Sequence, residues 1–361
     1  VGSEMCIRDR RDGKEPVADA IEETVGPAVE QMADLADVVG QEQARRALEV
    51  AAAGGHHLLF MGPPGCGKSM LARRLPGILP PLEPEEALQV TSVYSVSTRV
   101  PRPRGLLSRR PFRAPHHTIS SAALIGGGTN PQPGEVSLAH HGVLFLDELT
   151  EFRRDVLEGL RQPLEDRTVT VARARSTLTF PSAFQMVAAA NPCPCGYLGD
   201  DKRECVCTPP AVERYRSRLS GPLLDRLDLQ VTVPSVPWRE LAQDRRGETS
   251  EAVGARVAEA RRWARGRFGA DGPLSNGDMG SEAIREWASP DDEGRRLLEH
   301  ASRALGLSAR AWHRILRVAR TIADLAGDDG VAAPHVAEAI AYRALDRRSG
   351  LPPIGTLGAV K

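Results

Sequence analysis

Lysine is scarce in this chain. Of 47 basic residues among 361, four are lysine (Lys14, Lys68, Lys202 and Lys361) and the other 43 are arginine. With abundant alanine and glycine, this bias reads as GC-rich coding rather than a demand for arginine, so each lysine merits inspection. Net charge is also missing, since 47 acidic residues balance the basic ones. That excludes a simple polycation holding nucleic acid through bulk charge, and leaves a local basic groove open. No apolar run approaches the ~18 residues of a membrane span. The start shows no secretory pattern of basic residues, apolar stretch and small-residue cleavage site. Aromatic residues make up 4%, poor support for platforms that stack single-stranded bases. Cysteines number six, with no spread-out disulfide framework. Four fall close together, which fits a cytosolic, cytoplasmic metal cluster better than a disulfide scaffold. The remainder is ordinary for a soluble globular chain of two or three domains, at 41% hydrophobic and 26% charged.

The ends differ from the middle. Val1–Arg10 (VGSEMCIRDR) has no periodicity and resembles a translated adaptor. Residues 1–32 read as a linker or non-native segment, and 348–361 as a flexible Gly/Pro-rich tail. Between them we expect a nucleotide-binding core over 33–237 and a helical domain over 238–347. The chain reads as the C-terminal part of a longer protein.

His57–Met61 (HLLFM) is a short apolar strand, followed by Gly62-Pro63-Pro64-Gly65-Cys66-Gly67-Lys68-Ser69. This is G-x-x-x-x-G-K-[ST], the phosphate-binding P-loop. Met70, Leu71, Arg73, Arg74 and Leu75 suit a following helix, so the strand–loop–helix context is present. The glycines let the loop wrap phosphates with its amides inward, and the helix start adds partial positive charge. Lys68 would reach the β- and γ-phosphates of ATP, and Ser69 would hold Mg²⁺. Cys66 is either a thiol with a pKa lowered by the helix start or a small side chain that fits.

Gly142–Leu149 (GVLFLDEL) is an apolar strand ending in Asp147-Glu148. Two carboxylates at the C-terminal edge of a buried strand suit the crevice of an open α/β sheet. Asp147 would bind Mg²⁺, and Glu148 would orient and deprotonate the attacking water. A third strand, Gln185–Ala190, ends in Asn191, which either holds that water in line or only starts a turn.

Asp34–Gln41 (DLADVVGQ), GPPGCGKS, VLFLDEL, AAANP and Gly221–Asp228 (GPLLDRLD) occur in the order found in AAA+ ATPases of the magnesium-chelatase-like clade. The chain resembles the YifB/ComM type through FRAPHHTIS (112–120), IGGG (125–128), PGE (133–135), LAHHG (138–142) and ARAWHRILRVARTIAD (309–324). The resemblance spans roughly 33–347. It implies an α/β fold: an AAA+ P-loop core of parallel sheet and helices, carrying hairpin and helix insertions, followed by an all-α lid. Full-length relatives carry a further N-terminal domain like that of Lon protease. Asn191 matches sensor 1, Arg226 the arginine finger reaching a neighbour's nucleotide, and Arg310 the sensor 2 arginine of the lid. Val39 and Gly40 match the segment lining the adenine pocket. Planar, permanently charged guanidinium groups suit charge on a transferring phosphoryl group; the alternative for Arg226 and Arg310 is an ordinary ion pair. A finger supplied in trans leaves a lone monomer incomplete, so the resemblance implies a self-assembled ring, commonly a hexamer; the lack of a long apolar run gives no membrane partner to expect.

Residues 99–113 hold Arg99, Arg102, Arg104, Arg109, Arg110 and Arg113 and no acid, in a Pro/Gly-containing loop. The stretch after Asp166 (RTVTVARARSTLTF) reads as a β-hairpin with Arg173 and Arg175 near its tip. In this clade such insertions face the pore, where repeated arginines would contact a DNA backbone without reading bases. A solvated arginine face or pairing between subunits is the alternative.

Cys193, Cys195, Cys205 and Cys207 form C-x-C-x₉-C-x-C. They fit a structural Zn²⁺ site, although C-x-C is tighter than the usual C-x₂-C. A reduced metal-free loop and a redox disulfide stay open. The adjacent pairs His116-His117 and His140-His141 fit structural or nucleotide-sensing roles better than metal binding. Toward the C-terminus, 251–268, 295–305, 308–325 and 334–345 read as helices, with Ser308 as an N-cap and Pro334 in a first turn. They would form the lid over the nucleotide, with Arg310 coupling its closure to the γ-phosphate.

The expected activity is ATP hydrolysis by an AAA+ motor, with branch migration of DNA implied by the resemblance. The rivals are the ATPase subunit of a metal chelatase and a nucleotide-dependent assembly scaffold with little turnover.

Overall fold

A computed structural model describes residues 33–343, apart from 129–130, 174–175, 242–245 and 270–271. The strands are β1 (Leu58–Met61), β2 (Phe112–Arg113), β3 (Gly126–Gly127), β4 (Gln132–Pro133), β5 (Val143–Leu146), β6 (Thr168–Arg173), β7 (Ser176–Pro181), β8 (Gln185–Ala190) and β9 (Leu229–Thr232). Five of them form one parallel sheet in the order β2-β5-β8-β1-β9. All five carboxyl ends therefore emerge at one edge, where open α/β sheets bind ligands.

Its inner strands are apolar, because both faces are covered, apart from the buried Gln185 at the start of β8, which donates to Ala51 O and His56 O. Leu58, Phe60, Val143, Phe145, Val187 and Ala189 point to one side and share a core with the helices α1 (Glu42–Gly54) and, further along the chain, those of the C-terminal region. Their neighbours Leu59, Leu144, Leu146, Met186, Ala188 and Ala190 point to the other side. There they meet Leu124, Val136, Val156 and, from the expected hairpin, Val169 and Val171. That hairpin is the antiparallel pair β6–β7, in register from Thr168↔Pro181 to Arg173↔Ser176. Arg175, assigned to its tip, lies outside the described residues.

The remaining principal helices are α2 (Lys68–Ala72), α3 (Pro84–Val96), α4 (Pro209–Arg216), α5 (Gly221–Leu224), α6 (Ser250–Phe268), α7 (Ser281–Trp287), α8 (Asp292–Leu305), α9 (Ala309–Ala326) and α10 (Ala333–Ala341). The helix after the P-loop is shorter than expected. Pro76 sits in the first turn of a separate helix over Leu75–Ile78, and Arg73 and Arg74 lie in the turn between the two. In the C-terminal region the caps set the boundaries. Thr249, Asp291 and Ser308 each accept a hydrogen bond from a first-turn amide. Asp291 thereby starts α8 three residues ahead of the expected Arg295. The sequence pattern gave no warning of α7.

A buried charge pair ties the C-terminal helices to the sheet. Asp228, just before β9, accepts from Arg314 Nη1 of α9 at 2.5 Å and from the His57 amide at 3.0 Å. Burial alone would raise its carboxyl pKa, but the Arg314 guanidinium holds it well below the usual carboxylate range. Replacing Asp228 by Asn keeps the shape and removes the charge, leaving Arg314 without its counter-ion. We expect urea denaturation to show a loss of about 3 kcal/mol or more. This contribution is complete above about pH 4, where an unfolded Asp is ionised, and is lost only as pH falls through the depressed folded value. A loss below about 1 kcal/mol, the scale of an exposed pair, would remove the pair from the account of stability.

Candidate active site

The P-loop leaves the carboxyl edge of the sheet directly from β1. Its Gly65 and Gly67 have φ of 77° and 96°, values that side chains disfavour. Gly62 passes so close to β9 that an added Cβ would lie 2.1 Å from the Val233 carbonyl oxygen. Lys68 Nζ donates to the carbonyls of Gly62 and Pro63 at 2.7 and 2.8 Å, and to Asn191 Oδ1 at 3.1 Å. Burial lowers its pKa. Cys66 is also buried, and burial pushes its thiol up. That favours the packing reading of Cys66 over a reactive thiolate.

Gln41 stitches the segment before α1 to this loop. Its Nε2 donates to Cys66 O at 3.2 Å and to Pro234 O at 2.7 Å. Val39 and Gly40 are thereby held beside the P-loop and the chain leaving β9. A Cβ on Gly40 would lie 3.0 Å from Glu240 Oε2.

At the end of β5, Ser69 Oγ donates to Asp147 Oδ2 at 2.5 Å. Two oxygen ligands thus meet beside the loop, a donor set suited to Mg²⁺. Glu148 follows in the left-handed region, at φ 52° and ψ 48°. This conformation is costly for a residue with a side chain, and such outliers cluster at functional sites. His117 Nδ1 lies 3.2 Å from Glu148 Oε2, and its ring stands edge-on to Phe152. The spacing gave no signal for this contact. The two residues are 31 apart, and the parallel pairing Phe112↔Val143 brings them together.

The other histidine pair is structural. His140 Nδ1 accepts from the Ala183 amide at 3.0 Å, and His140 and His141 both meet Gln89 Oε1. Burial, with help from His141, pushes His140 down to about 3, so it is neutral at pH 7.

Lys68 thus meets Asn191, its neighbour Ser69 meets Asp147, and Glu148 adjoins Asp147. A model of the magnesium chelatase subunit ChlI family matches residues 34–241, and one for its C-terminal region matches 247–343. The chain belongs to the magnesium chelatase ChlI family. Among individual relatives, it is 49% identical over 316 residues to competence protein ComM of Haemophilus influenzae, covering 87% of this chain and 60% of that protein. It is 47% identical to YifB of Salmonella typhimurium, over 87% of this chain and 61% of YifB. It is 46% identical to Rv2897c of Mycobacterium tuberculosis, over 89% of this chain and 63% of Rv2897c. The chain therefore spans about three-fifths of the length of these relatives.

In this ChlI-family chain the two arginines carried over by motif, Arg226 and Arg310, do not join the P-loop. They line one cleft of about 140 Å³ with Glu165, His313 and Arg317. Arg226 is buried, pairs with Glu165 and donates to Pro222 O at 2.5 Å. Arg314 donates to both Arg226 O and Asp228, while the Asp228 and Leu229 amides donate to His57 O. The cleft thus sits where β1 begins. The P-loop starts where β1 ends, ~13 Å away at ~3.3 Å per residue. This corrects the expected lid: α9 starts beside Arg226, at the amino edge of the sheet, rather than over its own P-loop. A cavity of about 880 Å³ opens at that same amino edge. Its arginines, including Arg110, Arg261 and Arg317, are interleaved with Glu83, Glu86, Glu165 and Asp228.

The basic loop is also less free than its sequence suggests. Arg99 donates to the carbonyls of Ala122 and Ala123. Arg110 donates to Pro80 O, His141 O and Glu86, and Arg113 forms a two-pronged pair with Glu135. Arg102, Arg104 and Arg109 are exposed.

The four clustered cysteines converge beside Asn191. Their Sγ atoms all lie within 4.8 Å of one another. Cys193 is buried and the other three are half-buried.

Proposed function

We propose that this chain binds and hydrolyses MgATP. The observation that carries the reading is the contact set at the carboxyl edge of the sheet, with Lys68 on Asn191 and Ser69 on Asp147. Ser69 and Asp147 would hold Mg²⁺, which neutralises charge on the phosphate oxygens when bound. Lys68, held by the neutral Gly62 and Pro63 carbonyls, Asn191 Oδ1 and the Cys66 thiol, carries the charge that phosphate would take up in their place. Glu148 accepts the proton of the attacking water, and His117 fixes the orientation of its carboxylate. Asn191 positions that water. Val39 and Gly40 flank the base.

Arg226 and Arg310 act on the nucleotide of a neighbouring copy. Their position at the far end of β1 supports this, because side chains there cannot bridge ~13 Å to their own P-loop and also fit their cleft. A ring follows, a hexamer if it matches the resembling clade.

The substrate of the motor is DNA, as the YifB/ComM resemblance implies for branch migration. The exposed Arg102, Arg104 and Arg109 supply phosphate-backbone contacts, repeated in each copy of a ring. We expect branched DNA to raise ATPase activity of the assembled protein several-fold, and the rise to shrink steeply with salt. An unchanged rate across a range of DNA structures and salt concentrations would remove DNA from the function. The family's own description favours a second reading, an ATPase subunit that drives Mg²⁺ insertion by a chelatase partner. Stimulation by such a partner alone would establish it. No helix among the described residues is long and apolar enough to cross a membrane.

A further inference from the structure

The geometry points to a single zinc ion held by Cys193, Cys195, Cys205 and Cys207. The sulfur separations are 3.4 Å for Cys193–Cys195, 3.7 Å for Cys193–Cys205 and 3.6 Å for Cys195–Cys205. Four thiolates ~2.3 Å from one tetrahedral ion stand ~3.8 Å apart, so these sulfurs need little adjustment. An all-thiolate set selects a soft or borderline metal and excludes Mg²⁺ and Ca²⁺. The sulfurs share one centre, as for one ion; an iron–sulfur cluster spreads its cysteines over several irons. Backbone amides support the site as well. Cys195 N donates to Cys207 Sγ and Cys207 N to Cys205 Sγ, both at 3.4 Å, and such contacts stabilise metal-bound thiolates.

The surrounding chain gives the ion a task. Between β8 and α4 the backbone has no helix or strand, and a loop of this length needs an organising constraint. The loop is nevertheless anchored at three places around the P-loop. Gly196, at φ 86°, lies so close that an added Cβ would stand 2.6 Å from Pro64 Cδ. Asp200 accepts from Ser235 Oγ at 3.2 Å, and Lys202 Nζ donates to Val236 O at 2.7 Å. Asn191 stands two residues before the first ligand. The zinc ion therefore braces a flap that spans from Asn191 across Pro64 to the chain beyond β9. Its effect on nucleotide binding rests on the ATP reading above; the presence of the metal does not.

The test uses the whole chain purified without chelator. Elemental analysis is expected to find about one zinc per chain, and under ~0.2 in a Cys205→Ser/Cys207→Ser variant. Co²⁺ replacement in the wild-type protein should give intense thiolate-to-metal absorption, which keeps the test valid if the variant fails to fold. Chelation should speed amide exchange across 192–208 and at Gly65 about tenfold or more, and re-addition of Zn²⁺ should reverse it. Zinc below ~0.2 per chain in folded wild-type protein, or two disulfides found by mass, would overturn the site. Bound zinc with no exchange response to chelation would overturn the brace. Zinc present in a protein that neither binds nor hydrolyses ATP would leave the metal site standing and remove the nucleotide reading.

Discussion

Replacing Glu148 by Gln is expected to lower ATP hydrolysis at least ~10²-fold while ATP is still bound. Gln has the same length and tolerates the same backbone, so the left-handed turn after β5 persists. Asp147 and Ser69 are untouched, and so is Lys68. What disappears is the basic oxygen that takes a proton from water, together with the charge facing His117 at 3.2 Å. The measurement is single-turnover hydrolysis set beside equilibrium binding of a fluorescent ATP analogue. Equal rates in both proteins would remove Glu148 from the mechanism. A parallel loss of binding would mean that the residue supports the pocket rather than the chemistry.

The second large effect concerns two inactive proteins that rescue each other. Lys68→Ala removes the phosphate lysine, and Arg226→Ala removes the guanidinium at the amino edge. Loss of a trans-acting arginine typically costs 10³-fold or more, so each variant alone should be close to silent. In an equal mixture a site is complete when an Arg226→Ala subunit supplies the P-loop and its Lys68→Ala neighbour supplies the arginine. Random assembly makes about one site in four of this kind, so roughly a quarter of wild-type activity should return if sites act independently. No recovery in rings shown by mass to be mixed would place both residues in one subunit's site, against the ~13 Å separation along β1.

The parts legible in the sequence were those that chemistry or periodicity fixes locally. A P-loop needs glycines, a lysine and a hydroxyl at set spacing, and a buried parallel strand needs a short apolar run. β1, β5 and β8 therefore stood out, as did Asp147, Glu148 and Asn191 at their ends. The long helices α6, α8 and α9 showed through caps and amphipathic spacing. What stayed hidden depends on distant partners. β2 has two residues, too few for a pattern, yet it delivers His117 to Glu148. Six arginines in one loop looked equivalent until Arg99, Arg110 and Arg113 met carbonyls and carboxylates from elsewhere in the chain. Arg310 carried its motif but not its address: the packing of α9 on α1 decides which edge of the sheet it reaches.

The separation of P-loop and arginine cleft along β1 also governs how copies can assemble. On the proposed reading each chain carries a nucleotide pocket at one edge and the arginines that complete a neighbour's at the other, and a head-to-tail contact joins the two. Two copies related by a twofold axis would complete both pockets only if the P-loop edge and the arginine edge of each met the other's in one contact. An open row of n copies completes n − 1 pockets, and closure into a ring completes the last one. The final subunit forms two contacts on entry where every earlier one formed a single contact. Turnover per chain should therefore rise with concentration and level off once rings close, giving the motor a built-in threshold for switching on.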